Sequence, residues 1–166
     1  MDRVDGTGIL KKKTAQDFGV VGLPARAAGI GHDLRSDFDS IYKKIGFTAQ
    51  KQESGDVLAR LNVRFDEFQE SIGVIERSLA MLNAGSVSAD NVIMQEGFAL
   101  GFAESWRGPL LYWISLDDSG AIERAKIVDP SFHNWQGLAY CVLGDIIPDF
   151  PLCNKSFDLS YAGNDL

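Results

Sequence analysis

The sequence predicts an α+β fold, mainly helical: a bundle around one long helix over about 54–84, an antiparallel β-hairpin over about 110–129, and a short C-terminal tail. Leu58, Leu61, Phe65, Phe68, Ile72, Ile75, Leu79 and Leu82 alternate spacings of 3 and 4, which keeps them on one helical face. Leu110 to Leu116 and Ala121 to Asp129 flank the turn Asp117-Asp-Ser-Gly120, and the second segment alternates Ile122, Arg124, Lys126 and Val128 with other residues, as a paired strand does. Pro148 and Pro151 close the last predicted helix and leave 156–166 as a turn-like tail.

Taken in order, Asp5-Gly-Thr-Gly8-Ile-Leu is a short apolar segment after a glycine turn. Thr14-Ala-Gln-Asp17 has the form of a capping box with Asp in place of Glu, and predicts a helical turn that stops at Gly19. From Gly22 to Arg35 the chain is rich in glycine and small residues but lacks G-x-G-x-x-G and a G-K-[ST] ending, so it reads as a loop and not as a phosphate cradle. That loop concentrates Arg26, His32, Asp33 and Arg35, as mutually paired structural charges or as an interface or site loop. Ser36 to Lys44 is predicted as a short helix capped by Ser36 and ended by Gly46.

For the long helix, Ser54 or Asp56 supplies the cap and Gly85 the left-handed closing residue. At 1.5 Å per residue its apolar seam is roughly 36 Å long, more than the chain's other helices can easily cover, so something else is expected to cover part of it. About a quarter turn away lies a second face, Arg60, Arg64, Glu67 and Ser71, which is either solvated or a contact surface. Gly73 costs about 1 kcal/mol relative to Ala in mid-helix and suggests the close approach of another backbone. Ser88 to Gly101 is helical in composition, Pro130 to Asn134 breaks the hairpin, and Gln136 to Ile147 is the final predicted helix.

With 166 residues and 45% hydrophobic content the chain fits one globular domain with a real core. A net charge of -7 argues against a nucleic-acid surface, since the one basic run is Lys11 to Lys13. No apolar stretch approaches the roughly 20 residues that span a bilayer, and no signal-peptide core is present, which predicts a cytoplasmic chain. Cys141 and Cys153 fit neither a metal motif nor a disulfide framework and are expected to be free, buried thiols. There is no G-x-S-x-G or H-E-x-x-H, and His32 and His133 stand far apart, so no metal site is predicted from this chain alone. Glu104 and Arg107, with Asp117 and Asp118 beyond, could pair, most commonly as a surface salt bridge.

Gly6-Thr-Gly8, Gly22-x-Pro24-x-Arg26-x-x-Gly29, Asp33-x-Arg35, and Gly55-Asp56 followed by Arg60, Arg64, Glu67 and Ser71 closely resemble the C-terminal half of one large-subunit superfamily. It joins nickel-iron hydrogenases with the quinone-site subunit of NADH:quinone oxidoreductase, complex I. Glu104-Ser-Trp-Arg107-Gly108, the turn at Gly120, Lys126 and Pro130-Ser-Phe-His-Asn134 look like the superfamily's E-x-x-R-G strand, hairpin and proline turn. The resemblance runs from about Val4 to the last residue. It is nearest to the complex I subunit and to the large subunits of formate-hydrogenlyase-type and energy-converting complexes.

Two departures shape what the resemblance implies. Nickel-iron hydrogenases end in D-P-C-x-x-C, whose thiolates hold the metal centre, whereas here the stretch is Asp158-Leu-Ser160-Tyr-Ala-Gly163. A hydroxyl and a glycine cannot replace two soft bridging ligands, so no nickel centre and no hydrogen activation are expected. By the complex I resemblance Asp158 and Ser160 border a quinone pocket, Asp158 is the candidate proton donor, and Arg107 pairs with Asp158 or another carboxylate. Arg26, Asp33, Arg35, Arg60, Arg64 and Glu67 fall at the superfamily's structural and interface positions. The second departure is that the N-terminal half of the pattern has no counterpart before Met1, which marks the chain as a fragment or a split subunit, a single C-terminal domain inactive alone.

Two functional classes follow. In the first, a nickel-free large subunit passes electrons from a partner's iron-sulfur cluster to a quinone or similar acceptor, with NAD bound elsewhere. Its complex lies on the inner face of the cytoplasmic membrane. The expected partners are the iron-sulfur small subunit, the N-terminal half of the large subunit and, indirectly, membrane subunits; this chain itself binds no cofactor. In the second, the chain is a noncatalytic scaffold that docks an iron-sulfur subunit.

Overall fold

Helix α5, Val57–Met81, runs through the molecule and the other elements arrange themselves on one side of it. The computed structural model describes residues 3–38, 41–85, 88 and 94–165. Before α5 come α1 (Lys12–Asp17), α2 (Gly22–Ala27), α3 (Leu34–Asp37) and α4 (Ile41–Ile45). After it come the strands β1 (Gly97–Ser105), β2 (Gly108–Leu116) and β3 (Ile122–Val128), then α6 (Pro130–Cys141), a 3-10 turn (Ile147–Asp149), α7 (Phe150–Phe157) and α8 (Tyr161–Asn164). The α+β class stands, with one long helix and an antiparallel sheet.

Asp56, not Ser54, caps α5: its carboxylate accepts from the Ala59 amide at 2.7 Å and from the Gly6 amide at 2.8 Å. Ser54 Oγ donates to that carboxylate at 2.9 Å and so serves the cap from outside. The helix stops at Met81, with Leu82 extended, short of the predicted closure at Gly85.

On the charged face of α5, Arg60 and Glu67 form a contact surface for other segments, the second of the two readings offered, and the apolar seam is left largely uncovered, as its length led one to expect. Phe65 is 60% and Leu79 66% exposed, whereas Arg60 is 0% and Glu67 8% exposed. The helix buries a narrow strip of Val57, Ala59, Arg60, Val63 and Glu67 against α2 and α7 and turns its wide apolar seam outward. Arg60 and Glu67 can go inside because partners from other elements satisfy them. Among the described residues it is not a backbone that lies nearest to Gly73; a side chain there would meet the Arg77 guanidinium at 2.8 Å.

The core gathers Leu10, Val20, Ala25, Val57, Leu138, Cys153 and Phe157, with Leu23, Ala27, Ala59 and Val63 in a second cluster between α2 and α5. Cys141 and Cys153 are free and buried, as read from their spacing.

Several local expectations are corrected. Helix α1 starts from Lys11 with no side-chain cap, so Thr14 lies inside it. The small residues of 22–27 make a buried helix, α2, because only small side chains let it sit this deep. Asp33 caps α3 by accepting from Arg35 N at 2.9 Å, in place of the predicted cap at Ser36, and α4 is a separate turn of helix. Part of the predicted helix over 88–101 is strand β1, while 89–93 lie outside the described residues.

Pro130 begins α6 and does not merely break the hairpin. It sits in the first turn, where its missing N–H costs nothing, and Asp129 caps Ser131 N at 2.8 Å. The predicted tail over 156–166 holds the end of α7 and all of α8, and Pro151 stands in the first turn of α7 instead of closing a helix.

The sheet order is β1-β2-β3, antiparallel throughout, and the predicted hairpin is its β2-β3 pair. Ser105 pairs with Gly108, so Trp106 and Arg107 form the two-residue turn between β1 and β2. The start of α2 meets that turn backbone to backbone. Gly22 has φ +64, and a Cβ there would lie 2.2 Å from the Arg107 carbonyl oxygen.

Candidate functional site

The Trp106-Arg107 turn points at the end of α7, where Asp158 adopts a left-handed conformation with φ 55. A non-glycine residue held there marks a place where surrounding contacts dictate the backbone. Arg107 Nε donates to the Asp158 carbonyl, and its Nη2 lies 3.9 Å from the Asp158 carboxylate. Trp106 Nε1 donates to Oδ2 at 3.2 Å and Lys155 Nζ to Oδ1 at 2.7 Å. The expected Arg107–Asp158 pair is present, whereas Glu104 does not pair with Arg107 and is not a surface group.

Beside Asp158 a cleft of about 310 Å³ opens between α5 and α7. Val4, Val57, Leu61 and Leu152 give it an apolar wall; Arg64, Trp106, Lys155 and Asp158 give it a polar one. The Arg64 guanidinium lies 5.7 Å from the Trp106 ring centroid and is anchored by donation to the Ser156 carbonyl at 2.9 Å. Burial lowers the pKa of Arg64, with the Asp158 and Glu67 charges opposing. Burial alone would raise Asp158, but the Lys155 and Trp106 hydrogen bonds win and hold its carboxyl below its ordinary value.

Ser160 and Gly163 stand away from this cleft. The Ser160 hydroxyl accepts from Gly163 N at 2.9 Å to cap α8, its amide donates to Ser131 Oγ at 3.0 Å, and Gly163 packs against Asp129. A capping hydroxyl and a position without a side chain do not fit a pair of bridging thiolates.

A buried ionic cluster lies behind the turn. Arg26 Nε donates to Glu67 at 2.7 Å, its Nη1 to Glu104 at 2.8 Å, and Nη1 lies 3.4 Å from Asp33. Arg35 grips Asp33 with Nε at 2.9 Å and Nη2 at 2.7 Å, and stacks over Phe47 at 4.4 Å. The Arg35 fork holds Asp33 below its usual range despite burial. For Glu104 burial wins over Arg26 and raises it. These are the paired structural charges that the Gly22–Arg35 segment offered as one reading.

Arg60 is buried without a carboxylate at hydrogen-bond distance among the described residues. Its Nε donates to Ser156 Oγ at 2.8 Å, Nη1 to Gly55 O at 2.7 Å and Nη2 to Gly8 O at 3.0 Å, and the group lies over Phe157. Burial pulls its pKa down. It ties the N-terminal segment, α5 and α7 together behind the cleft.

Sequence reasoning missed Trp106 and Lys155 as cleft walls and Glu104 as the third carboxylate on Arg26. The one local signal was Glu104-x-x-Arg107-Gly108, whose tight turn holds Arg107 and leaves Glu104 on β1, so the two face different partners, but it does not name Arg26 as the partner of Glu104.

A long helix with buried guanidinium groups, an antiparallel sheet whose turn meets a C-terminal cleft, and the E-x-x-R-G spacing define a large-subunit domain of the hydrogenase and complex I kind. The chain matches the family described as respiratory-chain NADH dehydrogenase, 49 Kd subunit, over residues 1–96 and 89–165, and belongs to it.

Among curated relatives it is 32% identical to the carbon monoxide-induced hydrogenase of Rhodospirillum rubrum, over 95% of this chain and 44% of that protein. It is 31% identical to formate hydrogenlyase subunit 5 of Escherichia coli, over 98% and 29%. It is 31% identical to NADH-quinone oxidoreductase subunit 4 of Thermus thermophilus, over 95% and 46%. A chain of the membrane-bound sulfane sulfur reductase, an archaeal respiratory membrane complex, superposes with a TM-score of 0.89 at 26% identity, over 99% of this chain and 47% of that one. The chain thus spans less than half the length of these relatives.

Proposed function

We propose that this chain is the C-terminal domain of a nickel-free, hydrogenase-like large subunit that helps pass electrons from a partner's iron-sulfur cluster to a quinone or similar acceptor. The observation that carries this reading is the cleft beside Asp158, an apolar wall facing convergent cationic and indole donors. An aromatic acceptor with two carbonyl oxygens suits it. Its ring packs on Val57, Leu61 and Leu152, its oxygens take hydrogen bonds from Lys155 and Arg64, and the Trp106 ring, whose one N–H is on Asp158, closes the side. Arg64 and Lys155 stabilise the negative charge that grows on those oxygens as two electrons arrive.

Asp158, proposed as the catalytic carboxylate, orients Lys155 and Trp106. Because it is held ionised, it passes protons on and does not store them. Arg107 fixes the backbone of Asp158. Arg26, Asp33, Arg35, Arg60 and Glu67 hold the elements that carry the cleft.

The proposed partners are an iron-sulfur small subunit and the other half of the large subunit, which would cover the exposed seam of α5. Association with a membrane would be peripheral, on the inner face, through other subunits; no helix among the described residues is long and apolar enough to cross a membrane.

The test is Asp158→Asn in the assembled native complex. Quinone reduction is expected to fall by roughly 100-fold, the range for loss of a positioned proton-transfer group, with subunit composition intact. Full electron transfer in an intact Asp158→Asn complex would overturn the quinone role and leave a scaffold.

A further inference from the structure

We propose that the proton store serving this cleft is Glu104, which holds one exchangeable proton inside the buried Arg26 cluster and delivers it past Trp106. The delivery half of this proposal rests on the quinone-cleft reading above; the store itself does not. The charge balance supports the store. Within ion-pair distance of one another stand two guanidinium groups, Arg26 from α2 and Arg35 from α3, and three carboxylates: Asp33 at the α3 cap, Glu67 from α5 and Glu104 from the end of β1. Among the described residues the cluster is one cation short, and a buried unbalanced charge is costly unless a proton neutralises it. The next cation, Arg64 on α5, is shared between Glu67 and Asp158.

The proton falls to Glu104 by elimination. Asp33 is gripped by both Arg35 nitrogens, and Glu67 accepts from Arg26 Nε at 2.7 Å with Arg64 beside it. Glu104 has one Arg26 nitrogen, shared with Asp33, and the Leu34 amide at 3.2 Å. Its side chain is only 2% exposed. The raised pKa of Glu104 and the lowered one of Asp33 agree with this order.

The geometry gives that proton an entrance and an exit. On one side Glu104 borders a cavity of about 100 Å³ shared with His32 and Asp37, and His32 is open to solvent. On the other it borders a cavity of about 210 Å³ lined by Arg35, Glu67, Ser71, Ser105 and Trp106. Both are roomy enough for water; the first is walled mainly by apolar side chains, with His32, Asp33, Asp37 and Glu104 as the polar groups on which water can sit. Trp106 is the wall common to the second cavity and the cleft, and its Nε1 already donates to Asp158. The buried Nη2 of Arg26, with no partner among the described residues, is a further polar atom on which water can sit.

The step balances simply. The Glu104 O–H bond breaks, the proton moves through water to Asp158 and on to an acceptor oxygen, and the electrons come from the partner subunit. The Glu104 carboxylate left behind accepts from Arg26 and Leu34 N until a proton re-enters from the His32 side. A two-electron quinone reduction consumes two protons, so the store cycles twice per turnover.

The experiment is infrared difference spectroscopy on the assembled native complex, oxidised against reduced, combined with steady-state quinone reduction. The wild type is expected to show the carbonyl stretch of a buried protonated carboxylic acid, shifted when glutamate carboxyls carry 13C. Glu104→Gln is expected to remove that band and slow quinone reduction roughly 10- to 100-fold with KM unchanged, while Glu104→Asp restores part of both. Absence of a 13C-sensitive band in the wild type, its survival in Glu104→Gln, or an unchanged rate would overturn the proposal; the wild-type spectrum decides even if Glu104→Gln does not assemble. A band lost in Glu104→Gln, together with normal turnover in Asp158→Asn, supports the store and sinks the cleft reading alone.

Discussion

Arg60 shows at a single residue how this chain uses buried charge. Its three donating nitrogens end on Ser156 Oγ, Gly55 O and Gly8 O, so one side chain ties a hydroxyl and two backbone carbonyls from separate segments. Each hydrogen bond to a charged group contributes about 1.5–3 kcal/mol, and each buried acceptor left unmade costs about 1–3. Arg60→Met is therefore expected to destabilise the fold by about 3 kcal/mol or more, read as a lower denaturant midpoint. Arg60→Lys recovers little, because one ammonium cannot reach three acceptors set around a planar fork.

The carboxylates behind the turn give the pH dependence two opposite signs. Asp33 titrates below its ordinary value of 3.8, so its contribution is present above that pH and lost as pH falls through the lower folded value. Glu104 titrates above its ordinary value of 4.5, so its contribution is complete below that pH and lost as pH rises through the higher folded value. Unfolding followed across pH is expected to show a shallower acid limb in Asp33→Asn, where Asp56 and Asp158 still contribute, and a reduced upper slope in Glu104→Gln.

At the scale of the element, α5 shows why a helix can be read correctly while the cover of each face stays open. The 3-and-4 spacing of Leu61, Phe65, Phe68, Ile72 and Ile75 made the helix and its seam legible, but periodicity does not say whether the cover for a seam lies in the same chain. What fills the inside is a strip of small and charged residues, and for Arg60 and Glu67 the choice between solvent and contact stays open until their partners, far off in sequence, are known. Strand β1 was hidden differently. Phe98, Leu100 and Phe102 alternate with Ala99, Gly101 and Ala103, a period of two, but Ala and Leu gave the stretch a helical composition.

Two predictions follow from these elements. Phe68→Glu or Ile75→Glu is expected to change the chain's own unfolding free energy by no more than about 0.5 kcal/mol, whereas Leu138→Ala in the core costs about 2–5. Gly22→Ala drives a Cβ into the Arg107 carbonyl and into Gly108, backbone atoms that cannot swing aside. It is expected to push α2 off the turn and unmake the Arg107–Asp158 contact, seen as a lowered melting temperature and lost quinone reduction together.

For the molecule as a whole, the outward apolar surface is the dominant fact. Phe65, Phe68, Ile75 and Leu79 on α5 are more than half exposed, and so are Phe98 and Leu100 on β1. A stable monomer rarely leaves such a surface to water. The site was partly legible at this scale: Arg107 and Asp158 came from the family pattern, while the joining of Glu104 to Arg26 depends on how the β1-β2 turn meets α2, which no local spacing encodes. The same surface gives the final prediction. The chain by itself is expected to self-associate in sedimentation velocity at micromolar concentration, because seam-to-seam contact is the simplest way to bury α5. Replacing Phe65, Phe68, Ile72 and Ile75 together with Ser or Glu is expected to give a monomer with unchanged helical circular dichroism, since none of them supports the core. The same four changes, made in the native complex, are expected to release this chain from its partners. A monomeric wild type, or a quadruple variant that unfolds, would mean that the chain covers the seam itself.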